Sequence, residues 1–277
     1  MKAAFRAVVL LGLFALLVEH SAVLCGLNAS YAQGPSESLG TLAGEYFLGD
    51  GRGVNKSLVL SSDGRVLVTW SADDGGRSEA NGRAEVTGQQ LVIHGSSSQS
   101  NRVIRSADCR FTFVRWGKRV YLIPGDRMLS FCNAINLGLE PRADMHGQFF
   151  LRVTRGQGRR APVPAEGVPG LPVAWEHVRL KEPLHGVVTG VVREGVVTIN
   201  LGSKDGIRVG MELWVEEAAA PFATITVAEV SEANCTARSN YTVKGEPEPP
   251  YGAFPLPKPA RGHRVYTRIP AARRPSR

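Results

Sequence analysis

The sequence has few of the residue patterns that mark catalysis or metal binding. It has four cysteines and no C-x-x-C, so redox exchange and a zinc knuckle have no support. Five histidines beyond the N-terminal segment, at 94, 146, 177, 185 and 263, are scattered. None forms H-x-x-x-H or sits at metal-ligand spacing from a cysteine, which points to surface or capping roles. G-K-[ST] and G-x-S-x-G are absent, and GDGRGVN at 49–55 lacks both the third glycine in register and a following helix pattern of a phosphate loop. Asp50, Asn55, Asp73 and Asp74 do not fit a calcium loop and are expected to be turn residues. Nothing in the sequence places Asp50 and Asp73 together as an acid–base pair. Aromatics make up only 7% of the chain, and long amphipathic helical patterns are missing. An all-β protein with no cofactor, no metal and no convergent titratable set is expected, which argues against an enzyme, although triads are recognised by geometry rather than by sequence.

The N-terminus carries an export pattern. Lys2 and Arg6 precede the apolar run AVVLLGLFALLV at 7–18, and Ser30-Tyr31-Ala32 is a small-x-small cleavage site. Residues 1–32 are therefore expected to be a signal peptide, with the mature chain starting near Gln33. An uncleaved anchor is the competing reading, and a lipoprotein at Cys25 is disfavoured by the bulky Leu24 before it. The apolar run is short for a membrane span, and no span is expected after its removal. Cleavage lowers the net charge from +8 to +7. The excess gathers at Arg155, Arg159 and Arg160 and in the basic tail 271–277. These positions read as solvated linker and tail charge. An exported protein meets anionic surfaces, lipid headgroups and wall polymers rather than nucleic acid.

Two β domains are expected in the mature chain. The first, 33–153, opens with GEYFL at 44–48. Alternating runs around Ser62-Asp63-Gly64, and then 82–86 with 90–93, make a meander. Its sharpest feature is a hairpin, 110–116 with 119–124, around Gly117-Lys118. Glycine first in a two-residue loop favours a type II′ turn, pairing Phe113 with Leu122 and Val114 with Tyr121. Both faces of that hairpin are apolar, so it must lie inside a closed structure or between layers. The words GEYF, LVLSSDGRVLVTW and GRAEVTGQQLVI weakly resemble lipocalin-like small barrels, which implies architecture only. Residues 154–177, rich in Pro, Gly and Arg, are expected to be a flexible linker between two cores.

The second domain, 178–270, centres on VVTINLGSKDGIRVGMELWV at 196–215. Val197, Ile199 and Leu201 alternate with polar partners, a turn follows at 202–206, and Met211, Leu213 and Val215 resume the alternation. Gly202, Asp205, Gly206 and Gly210 are expected to be backbone requirements of this turn, not ligand contacts. The segment resembles the C-terminal SH3-like barrel of the flagellar assembly protein T family, in which LGxxDGxxxGM recurs between strands. That resemblance covers about a third of the chain and implies a small SH3-like barrel in an envelope setting. It carries no catalytic residue. The closing strand falls at 262–266, with His263 where that family more usually has Asp. A Pro-rich insertion at 243–259 precedes it, either a loop or a polyproline ligand.

Once Cys25 leaves with the signal, Cys109, Cys132 and Cys235 remain. Export and spacing pair Cys109 with Cys132, a bridge worth roughly 3 kcal/mol, and leave Cys235 as a buried small side chain. Two functions compete, with an enzyme, marked by a cluster of Asp, His or Ser in one cleft, as a third reading. One is a periplasmic or secreted structural or interaction protein of the envelope. The other is a carrier of a small apolar ligand in the first barrel, which requires a cavity there.

Overall fold

A computed structural model describes residues 37–49, 53–96, 110–139, 141, 149–153, 167–193, 195–216, 224–239 and 259–270. Residues 1–32, expected to be the export segment, with Cys25 among them, and Asp50, Cys109, His146, positions 243–258 of the Pro-rich insertion and the basic tail lie outside these residues. The chain is all-β, with two closed antiparallel barrels.

Strands β1 (Gly44–Leu48), β2 (Asn55–Leu60), β3 (Arg65–Ser71), β4 (Arg77–Thr87), β5 (Gln90–Gly95), β6 (Arg110–Trp116), β7 (Arg119–Pro124) and β8 (Phe150–Val153) form the first barrel in sequence order, and β8 closes on β1. Alternation dictates the interior. Tyr46 and Leu48, Leu58 and Leu60, Val66 and Val68, Leu91 and Ile93, and Phe111 and Phe113 all fall in one buried cluster. Every one of the eight strands contributes to it, and Val120, Leu122 and Phe150 complete the ring. A short helix α1 (Leu39–Leu42) lies at the end where β1 starts. Its Leu42 is fully buried in the same cluster, and Leu39 packs against it.

The β6–β7 hairpin has the expected register, with Phe113 opposite Leu122 and Val114 opposite Tyr121. Gly117 supplies the positive φ, 57°, that the tight turn needs. Phe111, Phe113, Val120 and Leu122 face the barrel interior. On the other side Val114, Tyr121 and Ile123 belong to a second cluster, so the hairpin is a wall between two cores.

The second barrel contains β9 (His185–Arg193), β10 (Val196–Ile199), β11 (Glu212–Val215), β12 (Thr224–Val230), β13 (Cys235–Ser239) and β14 (Arg264–Tyr266), joined in the order β10-β13-β12-β11-β14-β9. Its inward residues, among them Val188, Val197, Ile199, Leu213, Ile225, Val227, Ala237 and Val265, are all buried. That cluster does not stop at the barrel. It runs on through helix α2 (Met128–Asn136) by way of Met128, Phe131, Cys132 and Ile135 to the outer face of β6–β7.

The two barrels thus share a core instead of holding two separate ones. Of the expected linker, positions 154–166 lie outside the described residues, and 167–177 are held in place. Trp116 Nε1 donates to Gly167 O at 2.9 Å, Gly170 N donates to Arg115 O at 2.8 Å, Leu171 is buried, and a one-turn helix α3 (Val173–Glu176) follows. Prolines and glycines set the local chain direction here, while single apolar and aromatic anchors hold the segment down.

Candidate functional site

The turn residues are placed by backbone geometry. Gly206 sits in the left-handed region at φ 90° and ends a short 3-10 turn, Ser203–Asp205. Asp205 Oδ2 accepts from Gly202 N at 2.9 Å, which caps the turn from within. Gly202 itself is extended, so its reason is proximity: a Cβ there would stand 2.3 Å from Glu232 O. Gly210 combines a φ of 84° with close approach, because its Cβ would lie 2.5 Å from Leu129 Cδ2 on α2.

The side chains that join the barrels gave no motif in the sequence. Asn133 and Asn136 are buried on α2. Asn133 Nδ2 donates to Gly210 O at 2.9 Å, and its Oδ1 accepts from Glu212 N at 3.3 Å. Asn136 Nδ2 donates to Val178 O at 3.0 Å, and its Oδ1 accepts from Leu180 N at 2.9 Å. Each amide thus serves as both donor and acceptor to backbone of the second barrel and of the segment leading into it. Beside them Trp214 packs with Leu137 and Ile269, and Ile269 N donates to Leu137 O at 3.0 Å.

Cys132 is a free buried thiol, directed by α2 into the shared cluster, and Cys109, the partner expected for it, lies outside the described residues. Burial pushes its pKa up to about 12, and that of the free Cys235 to about 11. Both are packing groups, not nucleophiles.

At the α1 end of the first barrel, Arg115 clamps Glu37 with Nε–Oε1 2.5 Å and Nη2–Oε2 2.8 Å. That fork holds the Glu37 carboxyl down at about 2, helped by the Thr41 hydroxyl and opposed by partial burial. Arg152 Nη1 donates to Thr41 O at 3.0 Å, and the Tyr46 hydroxyl to Leu42 O. The cluster fastens α1 to the barrel.

A cleft of about 200 Å³ lies along β1–β4, lined by Phe47, Asn55, Lys56, Ser57, Thr69, Ser71 and Arg77. Arg77 is already paired with Glu79 at 2.6 Å, and half-burial lowers the Lys56 pKa. Among the described residues no carboxylate, histidine or cysteine lines it. His94 pairs with exposed Glu85, His185 packs edge-on to Tyr266, and His263 Nδ1 accepts from Ala260 N. Asp74 Oδ1 accepts from Gly76 N in the β3–β4 turn, as a turn residue does. Among the described residues no group of three or more His, Cys, Asp or Glu is placed to hold a metal, and no helix is long and apolar enough to cross a membrane.

The surface offers one feature of another kind. Strand β9 runs on past β14, and Val191 and Val192 on that stretch are 54% and 62% exposed. Arg193 ends the strand, and the exposed Arg238, Arg261 and Arg264 lie on neighbouring segments.

No protein-family model, no curated protein and no solved structure matches this chain. The reading of its function rests on its own residues.

Proposed function

We propose that the chain is an exported envelope protein of the structural or interaction kind, without catalytic activity. Its second barrel acts as an SH3-like docking module of the sort found in the flagellar assembly protein T family, on the words LGSKDGIRVGM at 201–211. The observation that carries the reading is the pairing of filled interiors with an exposed apolar strand. Side chains from all eight strands pack the first barrel, and the second shares its core with α2. What the protein offers is therefore surface, and the surface at β9 is apolar with arginines around it. A lipocalin-like carrier would need room for its ligand in the first barrel, and the side chains packed there favour the interaction reading over that one.

The test is stoichiometric capture. The tagged mature chain is incubated with solubilised envelope fractions from its own cells and recovered under washing at physiological salt. A discrete partner recovered near equal amounts is expected. A protein that stays monomeric and partnerless, or that turns over a small-molecule substrate, contradicts the reading.

A further inference from the structure

Barrel closure removes strand edges, yet among the described residues β9 keeps one. It pairs with β14 only through His185, Gly186 and Val187, and the last bonds on that side are Val188 N to His263 O and Gly262 N to Val188 O, both 2.9 Å. On its other side β9 pairs with β10 as far as Arg193. Residues 189–193 therefore have a strand on one side and, among the described residues, none on the other. Such an edge is a template for another chain, and proteins usually blunt it with lysine or proline. Here the residues are Thr189, Gly190, Val191, Val192 and Arg193, all exposed except half-buried Gly190.

Two observations select the occupant. The first is charge. Arg193 ends the open stretch and Arg261 and Arg264 sit on the segment that flanks it, while Arg238 lies further off, on β13 beyond β10. Arg193, Arg238 and Arg261 have no ion-pair partner among the described residues. Arg264 reaches Glu216 only at 3.9 Å, and Glu229 faces Thr236 further round the barrel. A second copy of this chain would bring the same arginines together, whereas an acidic segment would neutralise them. The second is shape. The β9–β10 pairing shifts register twice, and the twist this imposes disfavours flat edge-to-edge stacking of two identical barrels but leaves a single flexible strand free to follow.

Resting on the interaction reading above, we propose that the open edge Thr189–Arg193 takes up an extended acidic segment of a partner protein as an added strand. Main-chain hydrogen bonds supply the affinity, Val191 and Val192 receive apolar side chains of the partner, and its acidic side chains meet the arginines. Five residues of strand span roughly 16 Å, so a segment of about five to seven residues fills the edge.

The experiment follows backbone amide resonances of the isotope-labelled full chain during titration with two capped eight-residue peptides. One alternates valine with glutamate and the other valine with lysine. The expected result is saturable movement and slowed hydrogen exchange of the amides at 189–193 with the acidic peptide alone. A double variant, Val191→Asp with Val192→Asp, should bind it at least tenfold more weakly, and the rest of its spectrum reports that it stays folded. Equal response to both peptides, movement confined to amides elsewhere, or no response overturns the proposal. Concentration-dependent protection of 189–193 without peptide also overturns it, in favour of a second copy. If an envelope partner is captured while the edge stays silent, the edge proposal fails and the interaction reading stands.

Discussion

Asn133 on α2 and Gly210 in the second barrel meet backbone to side chain. The amide donates to Gly210 O at 2.9 Å, while the helix also packs Leu129 into the space a Gly210 Cβ would need. The same amide accepts from Glu212 N. Asn133→Ala should therefore leave a half-buried carbonyl and a half-buried N–H unpaired at once and cost about 1–3 kcal/mol. Urea denaturation checks this. A variant within a few tenths of a kcal/mol of the parent (an error range set by unfolded-state effects) would show the seam to be wet or loose.

Tyr121 makes the opposite case. Its ring packs edge-on against Phe131 at 5.1 Å, but its buried hydroxyl has no hydrogen-bond partner among the described residues. Burial raises its pKa to about 12, so it stays neutral and unused. Tyr121→Phe keeps the ring contact and removes the orphan group, and it should stabilise the protein by about 1 kcal/mol. The denaturation midpoint should rise with an unchanged slope, and a fall would contradict the account.

These amides and the helix that carries them were the least legible parts of the sequence. A helix is read from a polar face alternating with an apolar one. Every residue from Phe131 to Leu137 is buried, so that contrast is erased, and Asn133 and Asn136 look like breaks in an apolar run. Their partners lie 77 and 42 positions away, beyond the reach of any local pattern. What depends on neighbours along the chain was legible: the register across Gly117-Lys118 and the reversal at Asp205-Gly206. The docking of 167–177 was hidden for a similar reason, because composition marks a loop but does not show that Trp116 holds it through Gly167 O.

The Glu37–Arg115 clamp gives a pH dependence. Glu37 has a pKa of about 2 when folded, against an ordinary value of 4.5, chiefly through its hydrogen bonds to Arg115. The unfolded state then binds the extra proton between those two values. The contribution is present above about 4.5 and is lost as pH falls towards 2. Glu37→Gln should be less stable than the parent near neutral pH, and the gap should close on acidification through this window. Paired urea titrations measure it, and a gap that stays constant or widens in acid would place the stabilisation elsewhere.

The central claim is that α2 fuses two filled barrels into one cooperative body, and calorimetry of residues 33–277 tests it. Gly206 at φ 90° tolerates no β-branched residue without strain, so Gly206→Val should cost about 1–3 kcal/mol in the second barrel alone if the barrels were independent. With a shared core, one transition is predicted, with equal calorimetric and van't Hoff enthalpies. Gly206→Val should then move the whole transition down by about 2–4 °C per kcal/mol. Two transitions, with only one displaced by Gly206→Val, would contradict it.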